Sequence, residues 1–281
     1  MREVTSGTLF VVATPLGNLE DITLRALRVL KGVALVACED TRRTARLLSA
    51  HGISAATTSY HEHNAREKGA RIVTELRAGR DVALVTDAGT PGISDPGQRL
   101  VREAREAGAA VVPVPGPNAA ATALSVSGLP ADRFRFVGFL PSRSEARRRA
   151  LAELAGGREP LVFYESPRRV VAALEDMLAA FGDREAFLCR EATKLHEEYR
   201  PGRLSQLRES LRAREEVLGE VVLVVAGASD ATEAGAASEA PEALFARLVA
   251  EGRTRREAVK ETAKRLKLPA REVYRRVLTR E

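Results

Sequence analysis

Five short apolar or β-branched runs in the first 119 residues each break off into a cluster of glycine, proline and polar side chains. Thr8 to Ala13 ends in Thr14-Pro15-Leu16-Gly17-Asn18, and Val33 to Cys38 in Glu39-Asp40-Thr41-Arg42-Arg43-Thr44. Thr58 to Tyr60 ends in His61-Glu62-His63-Asn64, and Val82 to Val85 in a long loop, Asp87 to Gly97, reading DAGTPGISDPG. Val111 to Val114 ends in Pro115-Gly116-Pro117-Asn118-Ala119. Between the runs lie stretches with helical spacing, at Leu19 to Lys31, Arg42 to Ala50, Asn64 to Ala78 and beyond Gly97. Strands buried on both faces that alternate with helices of this length form βαβ units and a mostly parallel sheet. Ligands of such sheets collect beyond the carboxyl ends of the strands, where these five loops gather. The glycines fit neither G-x-G-x-x-G nor G-x-x-x-x-G-K-[ST], which argues against the two standard phosphate cradles.

The second half changes character. Strands are expected at Phe134 to Leu140, Pro160 to Tyr164, Glu185 to Arg190 and Glu220 to Ala226. Helices are expected at Arg143 to Leu154, Pro167 to Phe181 and Leu204 to Arg214. The fold class is therefore α/β: a first α/β domain over 1–130, a second with a mixed sheet over 131–227, and a linker of Ala, Gly, Ser, Thr and acidic residues over 228–240. Three short helical stretches follow over 241–281, split by Gly252 and by Leu268-Pro269. Thr254 and Glu257 have the spacing of a capping box. The pattern is that of a small helix-turn-helix-like module whose last helix is rich in arginine, with a helical cap packed on the body as the plainer alternative.

Charge is uneven along the chain. Residues 1–240 carry 32 Lys+Arg and 32 Asp+Glu, whereas 241–281 carry 12 and 6, so the whole excess of +6 lies in the last segment. A basic module on a neutral body suits a polyanion such as nucleic acid, and a solvated helical face explains the charge equally well. Hydrophobic residues make up 44% of the chain, enough for a packed core. No uncharged apolar stretch reaches membrane-spanning length and no basic segment leads into an apolar one at the start, so a soluble cytoplasmic protein without membrane attachment is expected. Cys38 and Cys189 are the only cysteines, and each sits in or beside a strand-like run, as buried free thiols do. His61 and His63 share a strand face but have no third ligand motif, so no metal is expected.

The loops carry a resemblance. TPLGNLEDIT (Thr14 to Thr23), CEDTRRT (Cys38 to Thr44), YHEHN (Tyr60 to Asn64), DAGTPGISDPG, VPGPNA (Val114 to Ala119), VFYESPRR (Val162 to Arg169) and REATKLHEE (Arg190 to Glu198) stand in this order. The set resembles the tetrapyrrole-methylase superfamily of S-adenosylmethionine (SAM) enzymes, and within it the 16S rRNA (cytidine-2′-O)-methyltransferases. TPLGN and TDAGTP replace the G-x-G-P-G and G-D-P loops of the tetrapyrrole-modifying branch, which argues against a tetrapyrrole substrate.

The resemblance implies a folded SAM in a cleft between the two α/β domains, held by Pro15, Leu16, Asp87, Ala88, Gly89, Thr90, Asn118, Ala119 and Tyr164. It implies 2′-O-methylation of a decoding-centre cytidine by a homodimer, with 16S rRNA or the small ribosomal subunit as partner. A ribose hydroxyl is a weak acid, so a base or a cation near its oxygen assists the transfer. Glu39, Asp40, His61, Glu62, His63, Glu191, Lys194, His196 and Glu197 are the candidates. Lys194, Glu191 and Asp40 are favoured, with Lys194 acting either neutral as a base or charged as an alkoxide stabiliser. Arg42, Arg43, His61, Asn64, Arg271 and Arg275 are the candidate RNA-binding residues. An ion-paired domain interface is the plainer account of the same charged residues. Two other readings of the whole chain stay open: a methyltransferase of a small molecule such as a tetrapyrrole, and a ligand-sensing regulator that binds DNA.

Overall fold

The computed structural model describes residues 6–229, 241–265 and 268–278. Its first sheet contains β1 (Thr8–Val12), β2 (Leu35–Cys38), β3 (Thr57–Ser59), β4 (Val82–Leu84) and β5 (Ala110–Val114), in the order β3-β2-β4-β1-β5 and parallel throughout. Side chains alternate across this sheet, and both faces are apolar. Val82 and Leu84 join Leu9, Ile72, Leu76 and Leu100 on one side. Ala83 and Val85 join Val12, Val36, Leu30 and Leu48 on the other. Helices α3 (Ala65–Arg77) and α4 (Gly97–Glu106) cover the first face, and α1 (Leu24–Gly32) and α2 (Thr41–Ala50) the second. Pro113 is tolerated because β5 lies at the sheet edge, where its missing N–H leaves no ladder bond unmade.

The stretch expected as one helix over Leu19 to Lys31 is two pieces. A 3₁₀ turn at Leu19–Asp21 ends at Ile22, and α1 starts afresh after Thr23, whose hydroxyl accepts the Ala26 amide. A helix not read from the sequence, α5 (Ala119–Ser127), follows β5. Asn118 caps it through the Ala121 amide, and Gly128, at φ 72°, ends it in the left-handed conformation. Ala120, Ala123 and Leu124 pack against Val162, Phe187, Cys189, Val222 and Val224 of the second sheet, so this helix joins the two halves of the molecule.

The second sheet contains β6 (Arg135–Phe139), β7 (Leu161–Glu165), β8 (Glu185–Arg190), β9 (Glu198–Arg203) and β10 (Val221–Val225), in the order β6-β7-β10-β8-β9. It is mixed, as expected: β6 and β7 are parallel and the remaining pairs antiparallel. β9 is an additional edge strand whose sequence, EYRPGR, has no apolar run. β6 bulges between Phe136 and Gly138, and Gly138 takes φ 73° there. Helices α6 (Ser144–Leu154), α7 (Val170–Phe181) and α8 (Leu204–Arg212) cover the face opposite α5. Asp176 of α7 ties α6 to it by accepting Arg147 Nε at 2.7 Å and Arg148 Nε at 2.6 Å.

Three helices end the chain: α9 (Pro241–Ala250), α10 (Arg255–Arg265) and α11 (Ala270–Leu278). Leu244, Leu248 and Ala258 form one small core, and Val259, Ala263 and Val273 a second, with Phe245 touching both. The capping box is formed: Glu257 Oε2 accepts the Thr254 amide at 3.0 Å, and Thr254 Oγ1 accepts the Glu257 amide at 3.4 Å. Most of the segment expected as a linker, residues 230–240, lies outside the described residues. Among those described, no helix is long and apolar enough to cross a membrane.

Candidate active site

The carboxyl ends of β1, β4 and β5 open into a cleft of about 420 Å³ between the two sheets. Leu16, Asp87, Ala88, Gly89, Thr90, Asn118, Ala119 and Tyr164 all line it, eight of the nine residues expected to hold the cofactor. Pro15 lines a second cavity of about 180 Å³ instead, which shares Leu16, Arg43, Thr86 and Asp87 with the first. Backbone pairing fixes the walls. Thr14 and Gly89 exchange N–H···O bonds of 2.9 and 3.0 Å, and Thr14 Oγ1 donates to the Thr86 carbonyl. Thr90 Oγ1 donates to the Pro117 carbonyl at 2.9 Å, joining the β4 loop to the β5 loop.

Gly89 takes φ +85°, and a Cβ there would stand 3.3 Å from Leu16 Cδ2 and 3.7 Å from the Pro117 carbonyl. The loop therefore needs glycine both for its conformation and to leave space against its neighbours. Asp95 closes the far end, accepting the amides of Gly92 at 2.8 Å and Gly97 at 2.7 Å.

Asp87 is a hub. It accepts the Asp40 amide at 3.0 Å and pairs with Arg43 Nη1 at 3.4 Å. Arg43, expected as a phosphate ligand, thus reaches the cleft itself and lines both cavities. Glu39 also faces the cleft and accepts Thr86 Oγ1 at 3.3 Å. Burial, reinforced by the Asp87 charge, holds its carboxyl above the ordinary glutamate range.

Asp40, one residue on, points away. It caps α2 by accepting the Arg42 amide at 2.8 Å and also receives the Arg42 guanidinium, bonds that lower its pKa. Arg42 is 87% exposed, and neither it nor Asp40 lines the cleft. His61 and Asn64 also lie outside both cavities. Asn64 is spent on its own turn, accepting the His61 amide and donating to Ser59. His61 and His63 stand 6.0 Å apart edge to face. Among the described residues no three His, Cys, Asp or Glu groups gather as a metal site.

Lys194 and Glu191 lie in the loop between β8 and β9. Lys194 Nζ donates to Glu191 Oε1 at 2.7 Å and pairs with Glu220 at 3.4 Å. Burial pushes the ammonium's pKa down, but these two carboxylates outweigh it and the net direction is up. This favours the charged form of Lys194 over the neutral one. Neither Lys194 nor Glu191 lines either cavity. The Lys194 stem lies over Gly17, where a Cβ would overlap it. Thr193 Oγ1 accepts the Asn18 amide at 3.1 Å, a bond from the first loop of one half to the β8–β9 loop of the other. Glu191 and Thr193 hold φ of 52° and 67° without being glycine, a conformation that costs of order 1–3 kcal/mol per residue. Glu191 is fixed by the Glu220 amide at 2.8 Å and Thr193 by Glu197.

Both cysteines are free and buried. Burial raises the pKa of each, that of Cys189 to about 11, so neither is a thiolate nucleophile at neutral pH.

Residues 8–208 match the family model described as Tetrapyrrole (Corrin/Porphyrin) Methylases. The chain belongs to this family. Among its relatives is "Ribosomal RNA small subunit methyltransferase I" of Halalkalibacterium halodurans, 44% identical over 271 residues that cover 95% of this chain and 93% of the relative. The protein of the same description from Micromonospora olivasterospora is 46% identical, covering 98% and 88%. That from Escherichia coli O157:H7 is 48% identical, covering 79% of each chain. Among solved structures, uroporphyrin-III-C-methyltransferase from Thermus thermophilus superposes with a TM-score of 0.57 at 25% identity, covering 78% of this chain and 94% of that one. A cobalt precorrin-4 methyltransferase superposes with a TM-score of 0.59 at 16% identity, a likeness of fold.

Family membership makes SAM the cofactor. The cleft fits it. Gly89 leaves space for a close approach, Asp87 and Glu39 offer negative charge to a cationic ligand, and Tyr164, packed edge to face on Phe136 and Phe139, supplies an apolar wall. Sequence reasoning passed over Phe139, Glu165, Ser166 and Pro167, which also line the cleft. Three of these four stand inside VFYESPRR, so the motif itself was the available signal.

Proposed function

We propose that the protein is a SAM-dependent 16S rRNA (cytidine-2′-O)-methyltransferase that modifies a decoding-centre cytidine. The observation that carries the reading is the second cavity beside the cofactor cleft, lined by Thr14 to Gly17 and by Arg43 and Arg46, with the aliphatic stem of Lys194 packed over Gly17 from outside its lining. The rRNA substrate comes from the relatives described as small-subunit rRNA methyltransferases. The loop TPLGN, which differs from the tetrapyrrole branch, builds the wall of that cavity.

SAM, when bound, supplies an electrophilic methyl group. The chain's own residues do the rest. Arg43 and Arg46 on the second cavity suit the phosphates that flank a ribose. Lys194, kept charged by Glu191 and Glu220, stabilises negative charge developing on the 2′-oxygen. Asp40 serves as a helix cap, and Glu39 takes its place as the carboxylate on the cleft wall, the group that accepts the proton the 2′-hydroxyl gives up as its oxygen takes the methyl group and S-adenosylhomocysteine leaves. The Asn18–Thr193 bond holds the Thr14–Asn18 loop against the β8–β9 loop.

The same reading takes the chain as a first α/β domain to residue 130, a second to 227 and a helical module from 241, working in the cytoplasm as a homodimer. Exposed Leu24, Val126 and Leu195 are apolar surface available to a second copy.

The deciding experiment is transfer of labelled methyl from SAM to small ribosomal subunits lacking native methylation, followed by nuclease digestion and nucleoside mass analysis. Formation of 2′-O-methylcytidine supports the reading. No incorporation by a preparation that binds SAM overturns it. The likeness to uroporphyrin-III-C-methyltransferase then brings a tetrapyrrole substrate forward.

A further inference from the structure

The C-terminal module carries a groove that no helix-by-helix reading of the sequence assembles. It measures about 820 Å³ and is lined by Arg255, Arg256, Val259 and Lys260 of α10 and by Ala270, Arg271 and Tyr274 of α11. The two helices pack through Val259, Ala263 and Val273, which turns the basic sides of both toward one opening. Tyr274 is 60% exposed in that opening, more than Phe139, Phe134 or Tyr199, the other exposed aromatic rings among the described residues. Among the described residues, none of Arg255, Arg256, Lys260 and Arg271 has an ion pair, whereas Arg276, on the same helix, is paired with Glu272. Four uncompensated cations around one exposed aromatic ring are the parts of a site for unpaired nucleic acid: cations for the backbone, a ring face for a base.

We infer that this groove binds single-stranded RNA, with an unstacked base lying on the Tyr274 ring and the flanking phosphates on Arg255, Arg256, Lys260 and Arg271. The inference rests on the rRNA reading and sharpens it in two ways. It assigns the contact to the groove between α10 and α11 rather than to the outer face of the last helix. It also separates Arg271, which lines the groove, from Arg275, which does not. A helix-turn-helix docking on a duplex would instead use the exposed face of α11 and have no need of the ring.

The test uses the full chain and a fluorescein-labelled short single-stranded RNA, the same strand annealed to its complement, and a DNA duplex of equal length. Binding is followed by anisotropy across a salt series. Tyr274→Ala and Tyr274→Leu should each weaken single-strand binding by roughly 5- to 100-fold while Tyr274→Phe retains it, because stacking needs a ring and not merely apolar volume. Arg271→Gln should lower the slope of log K against log salt by about 0.7, the contribution of one phosphate contact on a single strand. Helix content by circular dichroism, measured on every variant, should stay at the wild-type value and so shows that the helical module is intact, and SAM affinity should be unchanged because the cleft lies elsewhere. Equal binding by wild type, Tyr274→Ala and Tyr274→Leu overturns the groove, as does tighter binding of either duplex. Methyl transfer to small subunits by the wild-type protein is assayed in parallel. Absence of transfer there removes the rRNA reading itself, a failure visible before any groove variant is compared.

Discussion

Lys194 and Gly89 carry separate parts of the proposed mechanism. Glu191 and Glu220 favour the charged form of Lys194, so in the proposed mechanism it places positive charge and does not take a proton. Lys194→Met should lower kcat for rRNA methylation by roughly 10²–10³-fold, the usual effect of removing a donor aimed at a developing oxyanion, and leave the SAM dissociation constant unchanged. Lys194→Arg should recover part of the loss. Because the pKa of Lys194 is raised, its charge persists through the neutral and mildly alkaline range, and the kcat profile should show no lysine inflection between pH 6 and about 9. Stopped-flow single turnovers across that range check both points. The same proposal gives Gly89 a part in cofactor binding instead. Alanine at φ +85° costs about 1–2 kcal/mol and pushes a methyl toward Leu16, so Gly89→Ala should weaken SAM binding by roughly tenfold or more in calorimetry. The identity of the wall carboxylate was not legible in EDTRR. Neighbouring residues point in different directions as the chain leaves β2, so Glu39 meets the cleft and Asp40 turns to cap α2.

The elements that hold these residues were legible where one force dominated their sequence. Strands buried on both faces, such as Val82–Leu84, are continuous apolar runs, and amphipathic helices such as α4 carry one apolar stripe. Two elements escaped for opposite reasons. Helix α5, AAATALSVS, is built of small uncharged residues on its buried and exposed sides alike, with Val126 in the open, so it has no stripe to detect. Strand β9 lies at a sheet edge and contains Pro201 and Gly202, so it lacks the apolar alternation of a strand.

Its first residue nevertheless anchors that edge. Glu198 accepts Arg214 Nη2 at 2.6 Å and Arg190 Nε at 2.9 Å, and the Arg214 hydrogen bond, set against burial, brings its pKa down to about 2. A carboxylate depressed in the folded state stabilises the protein above its unfolded pKa, and that stability is lost as pH falls through the folded value. The loss should therefore run from about pH 4.5 down to about pH 2. In urea titrations Glu198→Gln should flatten the acid limb over this window. Asp176, between two arginines, answers to a different readout. Asp176→Ala strands the buried Arg147 and should cost about 3–5 kcal/mol, seen as a lower urea midpoint at neutral pH.

At the scale of the molecule, cofactor binding and RNA attraction are assigned to different parts. The cleft is assembled from the strand ends and loops of the two sheets with the first turns of α2 and α5, α5 being packed under the second sheet and the Asn18–Thr193 bond joining the loops across the gap. Among the described residues, none that lines it lies beyond Val222. The charge has the reverse distribution: residues 1–240 are electrically balanced, and the +6 excess lies in 241–281. A balanced body offers a polyanion little net long-range attraction, and a basic module supplies it in a salt-dependent way. Removing residues 241–281 should therefore leave the rise in melting temperature caused by saturating SAM unchanged, a stabilisation of about 2.7 kcal/mol at a hundredfold excess over Kd. The same truncation should raise KM for small ribosomal subunits by roughly tenfold or more at physiological salt, with much of the difference disappearing at low salt, where the remaining arginines of the second cavity are screened less. Loss of the SAM-induced shift would mean that the helices support the cleft. An unchanged KM across the salt series would mean that the body recognises its RNA alone, through Arg43, Arg46 and the loops around them.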